Sequence, residues 1–418
     1  MSHISHLYPR HLRPFIEEAI VDTPVVVIQG ARQVGKSTLA QEIAKRAGGM
    51  YLSLDDEVQR SAAMRDPVTF VDRGQQSMLV IDEVQRVPSL VLAIKASVDR
   101  DRRAGRFLLT GSADLLRLPH GDSLAGRAES IELFGLSQGE RRDHRERFID
   151  RLLDGDLMID APTGVGRSAV LEMACAGGYP EASSRPPGRR RAAWFASYAA
   201  RITERDAGDV SRLRLLSALP DILVAMAALS AESISVPTIA RAASIADSTL
   251  PPYLDLLDAL YLTRRIPLWS NNYAARARRS QRSIVLDSGL AAALLNVTAN
   301  SLATDVNPNP AGRIVETFAV GEIIKQVGWS EQMPKVMHWS EPRKGEVDIV
   351  LEAPDGSIAG IEVKASATVG DADFNGLRRL RQECGSRFVG GVVLYCGDQA
   401  APWGPDFAAL PISVLWSA

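Results

Sequence analysis

Val25-Val26-Val27-Ile28-Gln29-Gly30-Ala31-Arg32-Gln33-Val34-Gly35-Lys36-Ser37-Thr38 is the stretch that decides the fold. Its apolar start reads as a buried parallel strand, and Gly30 to Ser37 fit G-x-x-x-x-G-K-[ST], the loop that leads such a strand into a helix. Gly30 and Gly35 permit the tight backbone that aims the N–H groups of Ala31, Arg32, Gln33 and Val34 at an anion. A helix opening near Lys36 adds its positive end. In this pattern Lys36 reaches the β- and γ-phosphates, and Ser37, with Thr38 in reserve, offers a hydroxyl to Mg²⁺. The expectation is a site for ATP and Mg²⁺.

Downstream, Met78-Leu79-Val80-Ile81-Asp82-Glu83 is a second apolar strand ending in two carboxylates. Asp82 stands where an acid holds the Mg²⁺ shell, and Glu83 is placed to take a proton from an attacking water. A third strand, Phe107-Leu108-Leu109-Thr110-Gly111-Ser112, ends in hydroxyls; Thr110 is the candidate γ-phosphate sensor and Ser112 its reserve. With Met50–Leu54 and Ile131–Phe134, these segments set the rhythm of a parallel sheet covered on both faces.

At 418 residues the chain exceeds one ordinary core, so two or three domains are expected. Its composition, 46% hydrophobic and 23% charged, is that of a soluble globular protein, and a formal charge of −2 excludes a globally basic field. Nucleic-acid affinity would have to reside in local patches. Cys175, Cys384 and Cys396 are far apart and lack metal-ligand spacing, which suits free thiols in a reducing cytoplasm. No segment reads as a signal peptide or a membrane span.

The sequence divides into an α/β core at 1–145, a helical lid or linker at 146–232, a winged-helix-like module at 233–295 and a terminal α/β domain at 296–418. In the third part Pro237 opens a helix, Ser244-Ile245-Ala246 makes a turn, and Ser248 caps a longer helix with Pro251 in its first turn. Arg264, Arg265, Arg276, Arg278, Arg279 and Arg282 follow with no acidic residue between 264 and 282. Beside a helix-turn-helix spacing this is either a basic wing that pairs DNA phosphates or a solvated arginine-rich loop.

In the last part, Gly345–Leu351 and Ile358–Lys364 flank Asp355-Gly356 and read as a hairpin. Period-two alternation puts Glu362 and Lys364 on one face with Asp348 near them on the partner strand. Glu316, in the helical stretch Val315–Val327, is a further acidic candidate. Such a set suits either metal-assisted phosphodiester cleavage, with Asp348, Glu362 and Glu316 as ligands and Lys364 steadying the water, or a surface salt bridge.

Taken together, the chain resembles the prokaryotic AAA-type P-loop ATPases that carry a C-terminal domain of unknown function with a PD-(D/E)XK nuclease-like core. The resemblance rests on the Walker A loop Gly30–Ser37, the Walker B strand Leu79–Glu83 with Val84–Pro88 after it, Leu109–Ser112 and Leu124–Arg127. It extends to Gly177–Pro180, Asp287–Leu290, Glu346–Asp348 and Glu362–Lys364. It implies a five-stranded ATPase core, then helices, a winged-helix-like module and a restriction-endonuclease-like domain, with Arg127 as an arginine finger acting in cis or from a neighbouring subunit of a homo-oligomer. The leading expectation is an ATPase that moves a DNA-binding, nuclease-like region. A nucleotide-gated scaffold that binds a protein partner and an ATP-controlled nuclease are the alternatives.

Overall fold

The computed structural model describes residues 8–74, 76–112, 124–160, 165–203, 216–229, 236–272, 276, 281–304, 308–341 and 345–418. The chain forms two units, one of residues 10–136 with 259–261 and the other of 8–9, 137–258 and 262–418.

The first unit is built on five parallel strands: β1 (Val25–Gln29), β2 (Met50–Ser53), β3 (Leu79–Asp82), β4 (Phe107–Gly111) and β5 (Ala128–Glu132), in the order β2-β3-β4-β1-β5. Every residue of β1, β3 and β4 is buried, as strands covered on both faces require. The helix Leu90–Arg100 supplies one layer, packing Leu90, Ile94 and Val98 into a core with Leu54, Phe70, Leu79, Ile81, Phe107 and Leu109. On the helix Lys36–Ala47 the buried face is Leu39, Ala40, Ile43 and Ala44, while Lys45 and Arg46 sit in the last turn, where they complement the dipole.

The last strand begins earlier than its apolar residues suggest. β5 runs from Ala128 to Glu132 with Glu129 and Ser130 exposed, because an edge strand paired on one side need not be apolar. This ordering places β4 between β1 and β3, so the phosphate loop and the acidic strand end flank the tip of β4.

The second unit begins with helices, among them Arg167–Ala176, Arg189–Arg201 and Leu219–Leu229. Gly177-Gly178 and Asp287, apart in sequence, meet here: Asp287 accepts from Gly178 N at 2.7 Å and caps the helix Ser288–Leu294 through Leu290 N at 2.8 Å. Helices Val236–Ala242 and Leu250–Ala259 follow, and Ser248 falls inside a 3-10 turn, Asp247–Thr249, that leads into the second. Strands β6 (Thr263–Ile266) and β7 (Arg282–Val285) pair antiparallel.

The terminal part carries the helix Pro308–Val327 and six strands: β8 (Lys335–Glu341), β9 (Gly345–Glu352), β10 (Ile358–Lys364), β11 (Phe388–Tyr395), β12 (Ala401–Pro402) and β13 (Phe407–Pro411). Their order is β12-β13-β11-β10-β9-β8, with β9 and β10 forming the antiparallel hairpin read from the sequence and β10, β11 and β13 running parallel. The helix Asn375–Cys384 links β10 to β11 and buries Leu377 and Leu380 in a core with Trp269, Trp339, Val347, Val350 and Phe374. The three cysteines are free; Cys384 and Cys396 are buried, and burial pushes all three thiols up to about 12. Among the described residues no helix is long and apolar enough to cross a membrane.

Candidate functional site

The phosphate loop turns where the sequence requires glycine. Gly30 has φ 153°, and a Cβ there would lie 2.0 Å from the Leu133 carbonyl oxygen, so no other residue fits without moving the chain. Gly35 has φ 103° and caps the helix that starts at Lys36. Gln33 also adopts a left-handed backbone, at φ 62°, and its side chain is exposed, whereas Ala31 and Val34 point into the core.

Lys36 is buried to 4% exposure, and its ammonium donates to the loop's own carbonyls, Gly30 O at 2.8 Å and Ala31 O at 2.7 Å. Burial lowers its pKa to about 8, with Glu83 and Asp82 opposing that shift and Arg32 adding to it. A cation held by neutral carbonyls is poised to exchange them for phosphate oxygens, which are the stronger partners.

Three hydroxyls converge on Asp82. Ser37 donates to its Oδ1 at 2.8 Å, Thr110 to the same oxygen at 2.5 Å, and Ser53 to Oδ2 at 3.2 Å. Ser37, and not the exposed Thr38, is therefore the hydroxyl brought to the carboxylate. Ser53 was not read from the sequence, although a polar residue closing an apolar strand next to β3 is the signal that could have found it.

Glu83 sits just past β3 in a left-handed conformation, φ 58° and ψ 45°, which costs a non-glycine residue roughly 1–2 kcal/mol. Thr110 Oγ1 accepts from its amide at 3.0 Å, and Gln85 and Ser112 both donate to its carboxylate, Ser112 at 3.3 Å. Gln85 also donates to Ser112 at 2.8 Å. The two hydroxyls thus divide their work: Thr110 holds Asp82 and the turn, while Ser112 and Gln85 aim Glu83.

Arg10 is the residue that sequence reasoning missed entirely. Its guanidinium donates to Val34 O inside the loop at 2.6 Å and to Phe134 O at 2.7 Å, and no local pattern announces it. Arg127 is placed differently from the cis reading of an arginine finger. It immediately precedes β5, whose first residue pairs with Val25 at the start of β1, so it lies at the end of the strands opposite the phosphate loop. There Arg127 Nε donates to Asp99 at 2.7 Å.

In the second unit the other predicted candidates do come together. Lys364 donates to Glu362 Oε1 at 2.7 Å, Asp348 Oδ2 accepts from Val363 N at 2.8 Å, and Glu316 reaches the same cluster from its helix. Burial, and then the charge of Asp348, raise Glu362 to about 8 and push Glu316 well above its usual range. Burial works against the charge of Lys364, but Glu362, Asp348 and Asp373 together outweigh burial and raise its pKa. Among the described residues, however, no group of three or more acidic, histidine or cysteine side chains is arranged to hold a metal ion.

Among the described residues of the arginine run, Arg265, Arg276 and Arg282 are turned toward carboxylates. Arg265 pairs with Asp255 at 2.7 Å and Asp258 at 2.6 Å. Arg276 engages Glu352 through both terminal nitrogens, at 2.5 and 2.9 Å, with its guanidinium 5.6 Å from the centre of the Trp269 ring. Arg282, 4% exposed, pairs with Glu316 and lies 3.6 Å from Asp348. Arg264 lies in β6, and Arg278 and Arg279 fall outside the described residues.

Comparisons with known proteins match three segments of the chain. Residues 22–141 match the model of an AAA domain, and residues 167–301 and 311–415 match two domains of unknown function, DUF8612 and DUF4143. Two uncharacterized proteins, Rv2008c of Mycobacterium tuberculosis and Mb2031c of Mycobacterium bovis, are each 28% identical over 355 residues, covering 84% of this chain and 73% of theirs. Among solved structures, the Walker-type ATPase PABY2304 of Pyrococcus abyssi aligns with a TM-score of 0.42 at 13% identity, over 69% of this chain and 96% of that one. AMPPCP-bound DnaA from Aquifex aeolicus aligns at 0.26 and 15% identity, over 59% of this chain and 86% of that one. With its phosphate loop, acidic strand end and intervening hydroxyl-bearing strand assembled on a five-stranded parallel sheet, the segment 22–141 is an AAA-type P-loop domain.

Proposed function

We propose that the protein is an Mg²⁺-dependent ATPase in which nucleotide turnover at the AAA-type domain controls the C-terminal α/β region. The observation that carries this reading is the convergence of Ser37 and Thr110 on one oxygen of Asp82, with Glu83 held beside them. A hydroxyl and a carboxylate are the hard oxygen donors that Mg²⁺ takes when phosphates complete its shell, so the residues fit the ion. When bound, Mg²⁺ would neutralise charge building on the phosphates. Lys36 would leave Gly30 O and Ala31 O for the β- and γ-oxygens, the amides of residues 31–35 would cradle the chain of phosphates, and Glu83 would accept the proton of the attacking water.

Lys36→Ala is expected to abolish triphosphate binding, whereas Glu83→Gln should bind normally and turn over roughly 10²–10⁴-fold more slowly. Parent-rate hydrolysis by Glu83→Gln would remove the general-base assignment. For Arg127 two readings remain, a finger acting in trans and a plain surface arginine paired with Asp99: mixing Arg127→Ala with Lys36→Ala chains should restore turnover only if one copy's arginine serves its neighbour's site.

The partner of the C-terminal region has two readings. DNA binding through the arginines loses support from Arg265, Arg276 and Arg282, whose charges face carboxylates. The other reading is a nucleotide-gated module that binds a protein partner without cleavage. ATP turnover measured with and without single-stranded, duplex and branched DNA separates the two, since stimulation by any one form supports the nucleic-acid reading.

A further inference from the structure

The carboxylate cluster of the second unit already holds cationic side chains of its own chain. Glu316 is in ion contact with Arg282, Asp348 Oδ1 lies 3.6 Å from the same guanidinium, and Asp348 Oδ2 accepts the Val363 amide at 2.8 Å. Glu362 Oε1 accepts from Lys364 at 2.7 Å. Glu362 Oε2 is buried and without a hydrogen-bond partner among the described residues, but the Arg282 guanidinium already fills the place between Glu316 and Asp348 where a cation shared by these acids would sit. Arg282 reaches this position as the first residue of β7, opposite Ile266, which inserts its side chain between the helix Pro308–Val327 and β9 from a third element. At 4% exposure it could not be held there without the acids around it, because an unpaired buried guanidinium is strongly unfavourable.

We infer that Arg282 is a built-in cation that takes the place of a divalent metal among Glu316, Asp348 and Glu362, so that this nuclease-like constellation is a metal-independent structural core and cuts no phosphodiester. The acids that suggest a metal site in the sequence are retained here as partners of arginine and lysine. They lock the β6-β7 hairpin and the helix Pro308–Val327 onto the sheet. This inference requires no step of ATP hydrolysis and stands or falls apart from it.

The test is Mn²⁺ binding to the full chain without nucleotide, read from the loss of the free-ion electron paramagnetic resonance signal. In the parent, Asp348→Asn is expected to leave Mn²⁺ uptake unchanged. Arg282→Met should add a saturable Mn²⁺ equivalent, and Arg282→Met with Asp348→Asn should lose it again. Saturable uptake by the parent that Asp348→Asn removes and Asp82→Asn spares would overturn the inference, as would a folded Arg282→Met chain that gains no ion. If Arg282→Met does not fold, the comparison of the parent with Asp348→Asn decides alone. Plasmid nicking in Mn²⁺ gives a second readout: none is expected of the parent, and nicking that Asp348→Asn abolishes counts against the inference.

Discussion

Thr110 Oγ1 donates to Asp82 Oδ1 at 2.5 Å and accepts from the Glu83 amide at 3.0 Å, so a single hydroxyl on β4 ties the acid beside the phosphate loop to the backbone turn that carries the candidate base. The bond to Asp82 is buried and the one from the Glu83 amide is half-buried. Thr110→Val keeps the shape and removes both, leaving the buried Asp82 carboxylate one donor short and a half-buried amide unpaired, at a cost of roughly 1–3 kcal/mol. We expect ATP turnover to fall by roughly tenfold to a hundredfold, with Thr110→Ser retaining most of it. Steady-state hydrolysis of the two variants checks this, and equal rates would remove Thr110 from the site's support.

Gln85 and Ser112 aim the Glu83 carboxylate and each other. Gln85→Ala should leave nucleotide affinity unchanged and lower turnover by about tenfold, the scale of one lost hydrogen bond to a charged group. Because the effect runs through Glu83, adding Gln85→Ala to Glu83→Gln should cost nothing more. An additive loss in the double variant would mean that Gln85 acts elsewhere.

Arg10 joins the phosphate loop at Val34 to the segment after β5 at Phe134 with two charge-assisted hydrogen bonds. Arg10→Ala is expected to loosen the loop and weaken ATP affinity by about tenfold. Lysine should not restore it, since one ammonium cannot reproduce the planar fork that serves two carbonyls. Titration with a fluorescent ATP analogue reads the effect directly, and parent affinity in Arg10→Ala would make this contact incidental to nucleotide binding.

His338 is buried on β8, where desolvation and then the charge of Arg282 lower its pKa from 6.5 to about 4. The folded chain therefore keeps it neutral where the unfolded chain would protonate it. Its contribution to stability is present above the unfolded value of 6.5 and is lost as pH falls through about 4. The full span corresponds to an acid destabilisation on the order of 3 kcal/mol. Urea unfolding of the parent and of His338→Gln at neutral pH and near pH 4.5 measures it. The variant should lose less stability on acidification, and parallel losses would assign the acid response to other groups.

The stretch Val25–Ser37 and the apolar strands that followed it were enough to state the phosphate loop, the parallel sheet and the pairing of Lys36, Asp82 and Glu83. The β9-β10 hairpin was equally legible. These features depend on residues within a few positions of one another, where spacing alone dictates glycine turns, strand alternation and helix starts. Tertiary structure decided the rest, because the partners are remote: Arg10 meets a loop 24 residues away and a carbonyl 124 away. Arg127 looked like a finger because it is the arginine of a Gly-Arg pair before the last core strand, and only the parallel register of β1 with β5 put it at the end of the strands away from the phosphate loop. Arg282 belonged to a basic run until β7 carried it to Glu316, 34 residues on, where burial demands a counter-charge. A sequence shows which groups carry charge; the fold alone shows which of them have already spent it on one another.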